Sequence, residues 1–167
     1  MQLTIQASGD NVQAISYLLS KNPKNLYERN HKGHLVRLFY SKFTESEMEA
    51  TIFVTPDPIE LVKNNANSYD ITHYINDWEF AVSSIFCSLI RSALGTALNG
   101  QPKEEHAEWV NHPFSFQFNF GPVVSTLSDN QLSELFEPIG YESDNYPARK
   151  SSILSILRIG VRQEMFP

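Results

Sequence analysis

The feature that most constrains this sequence is an apolar run near its middle, "FAVSSIFCSLIRSALGTAL", from Phe80 to Leu98. Nineteen residues carry a single charge, Arg91. A helix of that length can cross a bilayer. Three features oppose a span here. Arg91 would lie mid-membrane, at a cost of about 3 kcal/mol or more. Four serines and a threonine dilute the apolar character. The flanks bring Asp77 and Glu79 on one side and a Gly-Gln-Pro turn on the other, without a basic cluster. The run reads as a helix to be packed inside a protein.

Its spacing supports that reading. Val82, Phe86, Leu89, Ile90, Ala93, Leu94 and Ala97 recur at helical intervals. A second stripe is small: Ala81, Ser84, Ser88, Ser92 and Gly95. The two stripes together predict a helix covered on most sides, capped by Asn76 or Asp77 and stopped at Gly100. Cys87 falls within the buried pattern, where a packed thiol is expected rather than a nucleophile. Gly95 and Gly100 do not form a phosphate loop. No Gly-x-x-x-x-Gly-Lys-Ser/Thr is present, and no strand runs directly into them.

Around this helix the chain alternates strand and helix patterns. "MQLTIQA" alternates Leu3, Ile5 and Ala7 with polar residues, as a half-buried strand does. Asp10 or Asn11 can cap a helix through Lys21, which "KNPKN" ends at Pro23. "LYERN" and "HLVRLFYSKF" flank Lys32-Gly33 and predict a hairpin, and "MEATIFVT" a further strand. "PDPIELVKNN" predicts a short helix with Asp57 as cap and Pro58 at the first helical position, before the polar loop "NNANSYD". "FSFQFNF" sets Phe114, Phe116, Phe118 and Phe120 against polar neighbours, with one buried face and one wet one. "LSDNQLSELFEPIG" is a helix capped by Ser128 or Asp129 and closed by Pro138-Gly140. "YESDNY" and "SSILSILRIGVR" complete the strands. The predicted class is α+β, with mixed or antiparallel sheets packed around a buried central helix. The stretch from Leu3 to Tyr40 echoes that from Phe114 to Val161, so two βαββ-like halves are one arrangement. Any α+β chain can also give such an echo.

With 167 residues the chain is about one domain long and can bury a core without disulfides or metal. A net charge of −6 argues against a general nucleic-acid coat protein. Cys87 is the lone cysteine, so no internal disulfide forms and a reducing, cytoplasmic setting fits. "MQLTIQASGDN" lacks the basic and apolar regions of a secretory signal. "LRIGVRQEMFP" stops just after a strand-like run, as expected of a piece of a longer protein.

No stretch presents a recognisable active site. There is no Gly-x-Gly, so a Rossmann-type nucleotide pocket has no basis, and neither catalytic, cofactor nor metal residues are assigned. "HKGH" has the spacing of a metal pair, but histidines beside a hairpin turn are expected to be exposed. "EEHAEW" reads as the solvated face of a short helix. Lys21, Lys24, Arg29, Lys32, Arg37 and Lys42 interleave with Tyr27, Phe39, Tyr40 and Phe43. Such a mixture can bind RNA through phosphates and stacking, but the reading favoured here is a charged surface strand.

Four stretches, "SYLLSKNP", "FYSKFTESEMEATIFVTPDPIELVK", "YINDWEFAVSSIFCSLIRSALGTALNG" and "FEPIGYE", in this order, resemble the N-terminal half of the bacterial 3′-terminal RNA ribose 2′-O-methyltransferase. The resemblance covers roughly residues 1 to 160. It implies a single non-catalytic module over 1–167 that binds and activates an RNA ligase, notably in adenylylation. The partner is either a polynucleotide kinase-phosphatase with a ligase domain or a separate RNA ligase. It also implies that S-adenosylmethionine and metal belong to a C-terminal half with no counterpart in this sequence. RNA would be touched indirectly or weakly, and no membrane is involved. Where the family pattern has Arg-Pro this chain has Trp78-Glu79, and the stretch after Gly100 departs as well. Tyr74, Asp77 and Trp78 are the expected partner contacts. Arg29, Lys32, Arg37 and Lys42 are the expected RNA contacts in the alternative reading, an RNA-positioning domain.

Overall fold

The computed structural model describes residues 2–31, 33–55, 57, 78–123, 127–139, 141–147 and 155–161. Seven strands form one sheet: β1 Gln2–Ser8, β2 Tyr27–His31, β3 His34–Phe43, β4 Glu47–Thr55, β5 Ser115–Val123, β6 Tyr141–Pro147 and β7 Ser155–Val161. Their order is β2-β3-β4-β1-β5-β7-β6, and every neighbouring pair is antiparallel. The α+β expectation is met with a single antiparallel sheet rather than several.

The two-residue parity of the strands decides which side becomes core. Ile5 and Ala7 of β1, Val36 and Leu38 of β3, and Met48, Ala50, Ile52 and Val54 of β4 are all buried on one face. The two helices that pack against these residues lie on that face. A 3-10 turn, Val12–Ala14, leads into α1, Ile15–Leu19. It sets Val12, Ile15 and Leu19 against Ala7, Met48, Ala50 and Phe114. The long apolar run is α2, Trp78–Leu98. Its Phe86, Leu89 and Ala93 pack on Ile5, Val36, Leu38, Ile52 and Val54. Each large side chain buried this way contributes about 1.5–3 kcal/mol. Among the described residues no helix is long and apolar enough to cross a membrane.

Among the described residues α2 is covered along one stripe, which corrects two expectations. Cys87 is exposed, not packed. Ser88 and Arg91 beside it are also exposed, and a Cβ at Gly95 would meet nothing within 4 Å. A helix on a sheet buries a single stripe, and Arg91 marks the wet side. The helix stops as expected: Gly100 takes φ 59°, its N–H donates to Ala97 O and that of Gln101 to Thr96 O.

The helix through Lys21 is shorter than expected. It ends at Leu19, with Ser20 in the left-handed region at φ 52°. Neither Asp10 nor Asn11 caps it through a side chain; Asn11 is itself left-handed at φ 58°. α3, Asp129–Phe136, is capped by Ser128, which accepts from Gln131 N–H while the Gln131 side chain accepts from Ser128 N–H. The helix expected over "PDPIELVKNN" and the loop after it lie outside the described residues, apart from Asp57.

The internal echo corresponds to a topological repeat. β1 and β5 pair antiparallel at the centre of the sheet. Each leads to a helix, and each is then rejoined by the last strand of a hairpin, β4 on β1 and β7 on β5. The first half carries an extra edge strand, β2, so the matching hairpins are β3–β4 and β6–β7.

Candidate partner and RNA-contact surfaces

The three expected partner contacts are unequally placed. Trp78 is the first residue of α2. Its side chain, and Tyr74 and Asp77 altogether, lie outside the described part of the molecule.

The basic hairpin is described except for Lys32, and the structure divides it. The β2–β3 register pairs Glu28 with Arg37 and Arg29 with Val36. Val36 is core, so Arg29 shares the helix-bearing side of the ribbon while Arg37 projects from the opposite side. Arg37 Nε donates to Glu28 Oε2 at 2.8 Å. Lys42, beyond a bulge in β3, ion-pairs with Glu47. The three described residues, Arg29, Arg37 and Lys42, therefore form no common basic surface, and two of them are already ion-paired.

The side of the sheet opposite the helices is a polar network. Thr4 and Thr51 share a hydroxyl hydrogen bond at 3.1 Å and are each only 8% exposed. The Asn119 amide donates to Gln6 Oε1 at 3.4 Å, and the Gln6 amide and the Ser41 hydroxyl both donate to the Glu49 carboxylate. The bond from Ser41 above all, then that from Gln6, together with the Lys42 charge, hold the Glu49 carboxyl below its usual range, against some opposing desolvation. Gln6, Ser8, Lys42, Glu47, Glu49, Ser115 and Gln117 line a shallow groove of about 320 Å³ on this side. Phe39 and Phe53 stand beyond it, each 39% exposed. Among the described side chains around this groove, Arg37 and Lys42 stand with Glu28, Glu47 and Glu49, so carboxylates outnumber cations there.

Among the described residues, cations without a bridging carboxylate occur elsewhere. Lys21, just past α1, places its ammonium 4.4 Å from the Tyr27 ring centroid. It also donates to Leu19 O at 3.4 Å and Ser20 O at 3.5 Å, the carbonyls left free at the helix end. Burial first, and then the nearby Arg29 charge, hold Lys21 below the usual lysine value. Among the described residues no carboxylate bridges Lys21 or Arg29. Tyr40 donates toward Lys21 O at 3.5 Å, and burial pushes its phenol well above the ordinary range.

The histidines divide too. His34 is buried rather than exposed, and its Nδ1 accepts from Asp57 N–H at 3.0 Å, which fixes that nitrogen as the unprotonated one. His106 of the 3-10 segment Glu104–Asn111 stacks on Tyr17, centroids 4.0 Å apart and planes at 10°. The carboxylates of "EEHAEW" remain exposed as expected. Among the described residues no group of three or more His, Cys, Asp or Glu is placed to hold a metal.

Residues 1–151 match the family described as the RNA repair, ligase-Pnkp-associating, region of Hen1. The chain belongs to that family. The matched range runs through β6, and β7 lies beyond it although it pairs between β5 and β6. Solved structures described as the Pnkp1/Rnl/Hen1 RNA repair complex and the Pnkp1/Rnl/Hen1 complex each contain a chain of similar fold. In both the TM-score is 0.53 at 11% identity, over 96% of this chain and 37% of that one. This Hen1-region chain thus spans little more than a third of those chains, and the likeness is one of fold. No curated protein matches it.

Had strand parity been applied to the sequence, it would have separated the basic residues. The register that pairs His31 with His34 sets Glu28 against Arg37 and Arg29 against Val36. The Lys21–Arg29 proximity had no such signal, because it depends on where α1 ends.

Proposed function

We propose that this chain is a non-catalytic module that binds an RNA ligase, either separate or joined to a polynucleotide kinase-phosphatase, and activates it for adenylylation in bacterial RNA repair. The observation that carries this reading is membership, over residues 1–151, of a family described as ligase-Pnkp-associating. The complexes that contain a chain of this fold are described as Pnkp1/Rnl/Hen1 assemblies, which agrees with it. The whole of 1–167 then serves as one cytoplasmic interaction module, and methyl transfer belongs to a further part of the protein.

The physical basis is a rigid support acting on a mobile enzyme. α2 is fixed to the sheet by Phe86, Leu89 and Ala93, so a partner that grips this helix would act on an element already packed in the fold. Tyr74, Asp77 and Trp78 are the contacts proposed there, Tyr and Trp being frequent interface anchors. If the module binds the competent ligase conformation about 10⁴-fold more tightly, a 1:99 equilibrium becomes 99:1. Mixing the purified chain with its cognate ligase tests the proposal. Co-elution and faster ligase adenylylation are expected, with Trp78→Ala weakening both. No co-elution and no gain in adenylylation would sink the idea.

A further inference from the structure

We propose that Lys21 and Arg29, beside Tyr27, form a contact site for the phosphate backbone of single-stranded RNA. The argument starts from compensation. Among the described residues Arg37 has Glu28, Lys42 has Glu47 and Lys103 lies 4.0 Å from Glu105, whereas Lys21, Lys24, Arg29 and Arg91 have no bridging carboxylate. Lys21 lies 4.4 Å over the Tyr27 ring and Arg29 follows two residues on along the same side of β2, so the two cations are neighbours, and among the described residues neither has a carboxylate. Two neighbouring cations without a counter-charge repel each other, and an anion placed between them removes that cost. Arg29 is exposed, so its planar fork is free to take two oxygens of one phosphate while Lys21 supplies a point charge.

The surroundings hold the pair in place. Lys21 is anchored over Tyr27 and against the carbonyls of Leu19 and Ser20, so its ammonium is positioned before any ligand arrives. Arg29 follows Tyr27 by two residues on β2 and therefore shares its side of the strand. Exposed Leu26 and half-exposed Tyr17 add apolar surface on the flanking segments. RNA is favoured over an acidic protein segment because the family is one of RNA repair, and to that extent the proposal rests on the reading above. It differs from the basic-hairpin alternative in using the helix-bearing side of the ribbon and excluding Arg37 and Lys42.

The test uses the chain alone with a fluorescein-labelled 20-nucleotide RNA, read by anisotropy, without ligase. Binding with Kd of about 10⁻⁴–10⁻⁶ M is expected, weakening as salt rises. Arg29→Gln should weaken binding about five- to tenfold and lower the salt slope by about 0.7, the share of one single-strand phosphate. Arg37→Gln, on the opposite side and already paired, should change Kd less than twofold. Far-ultraviolet circular dichroism of Arg29→Gln should match the parent, since Arg29 is exposed. Wild-type Kd and slope in Arg29→Gln, or equal loss in Arg37→Gln, would overturn the site. So would polyglutamate competing as well as unlabelled RNA at equal charge. Ligase co-elution is read separately, so loss of RNA binding with intact co-elution rejects this site and leaves the ligase reading standing.

Discussion

The two faces of the sheet are built from the same strands and do opposite work. On β4, Ile52 points into the helices and is fully buried, while its neighbour Thr51 points the other way and joins a hydroxyl pair with Thr4. The covered face is held by apolar area, which is non-directional and large. The open face is held by directional bonds, each worth about 1 kcal/mol net. The lesson is that this sheet keeps its stability on one side and leaves the other chemically legible to a partner.

The largest expected effect tests the covered face. Ile52→Ala should cost about 2–5 kcal/mol in urea unfolding, because the site is closed by α2 and cannot collapse freely. A loss below 1 kcal/mol would mean that α2 does not seal this part of the sheet. One residue away the cost should be smaller. Thr51→Val leaves the Thr4 hydroxyl without its partner, for about 1 kcal/mol, and Thr4→Val combined with Thr51→Val should recover most of it. A strictly additive double variant would show that the pair is not coupled.

Glu49 sharpens the comparison through pH. Its carboxyl is held below the ordinary value of 4.5, so it stabilises the fold above that pH and the contribution fades as pH falls through the folded value. Glu49→Gln should therefore cost less than about 1 kcal/mol near neutrality, and the gap from wild type should close below pH 4.5. A gap that widened on acidification would reverse the assignment. The smallest effect belongs to Phe53, partly exposed on the open face. Phe53→Ser should change stability by no more than about 0.5 kcal/mol in the same urea assay.

Much of the sheet was legible because alternation of residues along a strand carries its own geometry. "MEATIFVT" and "FSFQFNF" name their buried sides directly, and the hairpin and the Ser128 cap follow from local chemistry. What was not legible depends on distant partners. Cys87 lies in an apolar run, and only the position of the sheet shows that it faces outward with Arg91. Ser20 and Asn11 adopt left-handed backbone with no glycine to announce it. His34 was misread because its burial is set by the bond from Asp57, 23 residues away. The basic residues are evident in the sequence, but which of them are ion-paired depends on register and on where α1 stops.

The seam between β1 and β5 has a consequence for biosynthesis. β1 is made first, yet it lies in the interior of the sheet, with β4 on one side and β5 on the other. Ser8 and Gln2 meet their β5 partners only when Ser115 and Gly121 have left the ribosome. Until then the first half presents β1 as an open edge, the kind of strand that recruits wrong neighbours. The delay is built into the order of the strands, so β1 waits with one side unpaired until synthesis has passed Gly121.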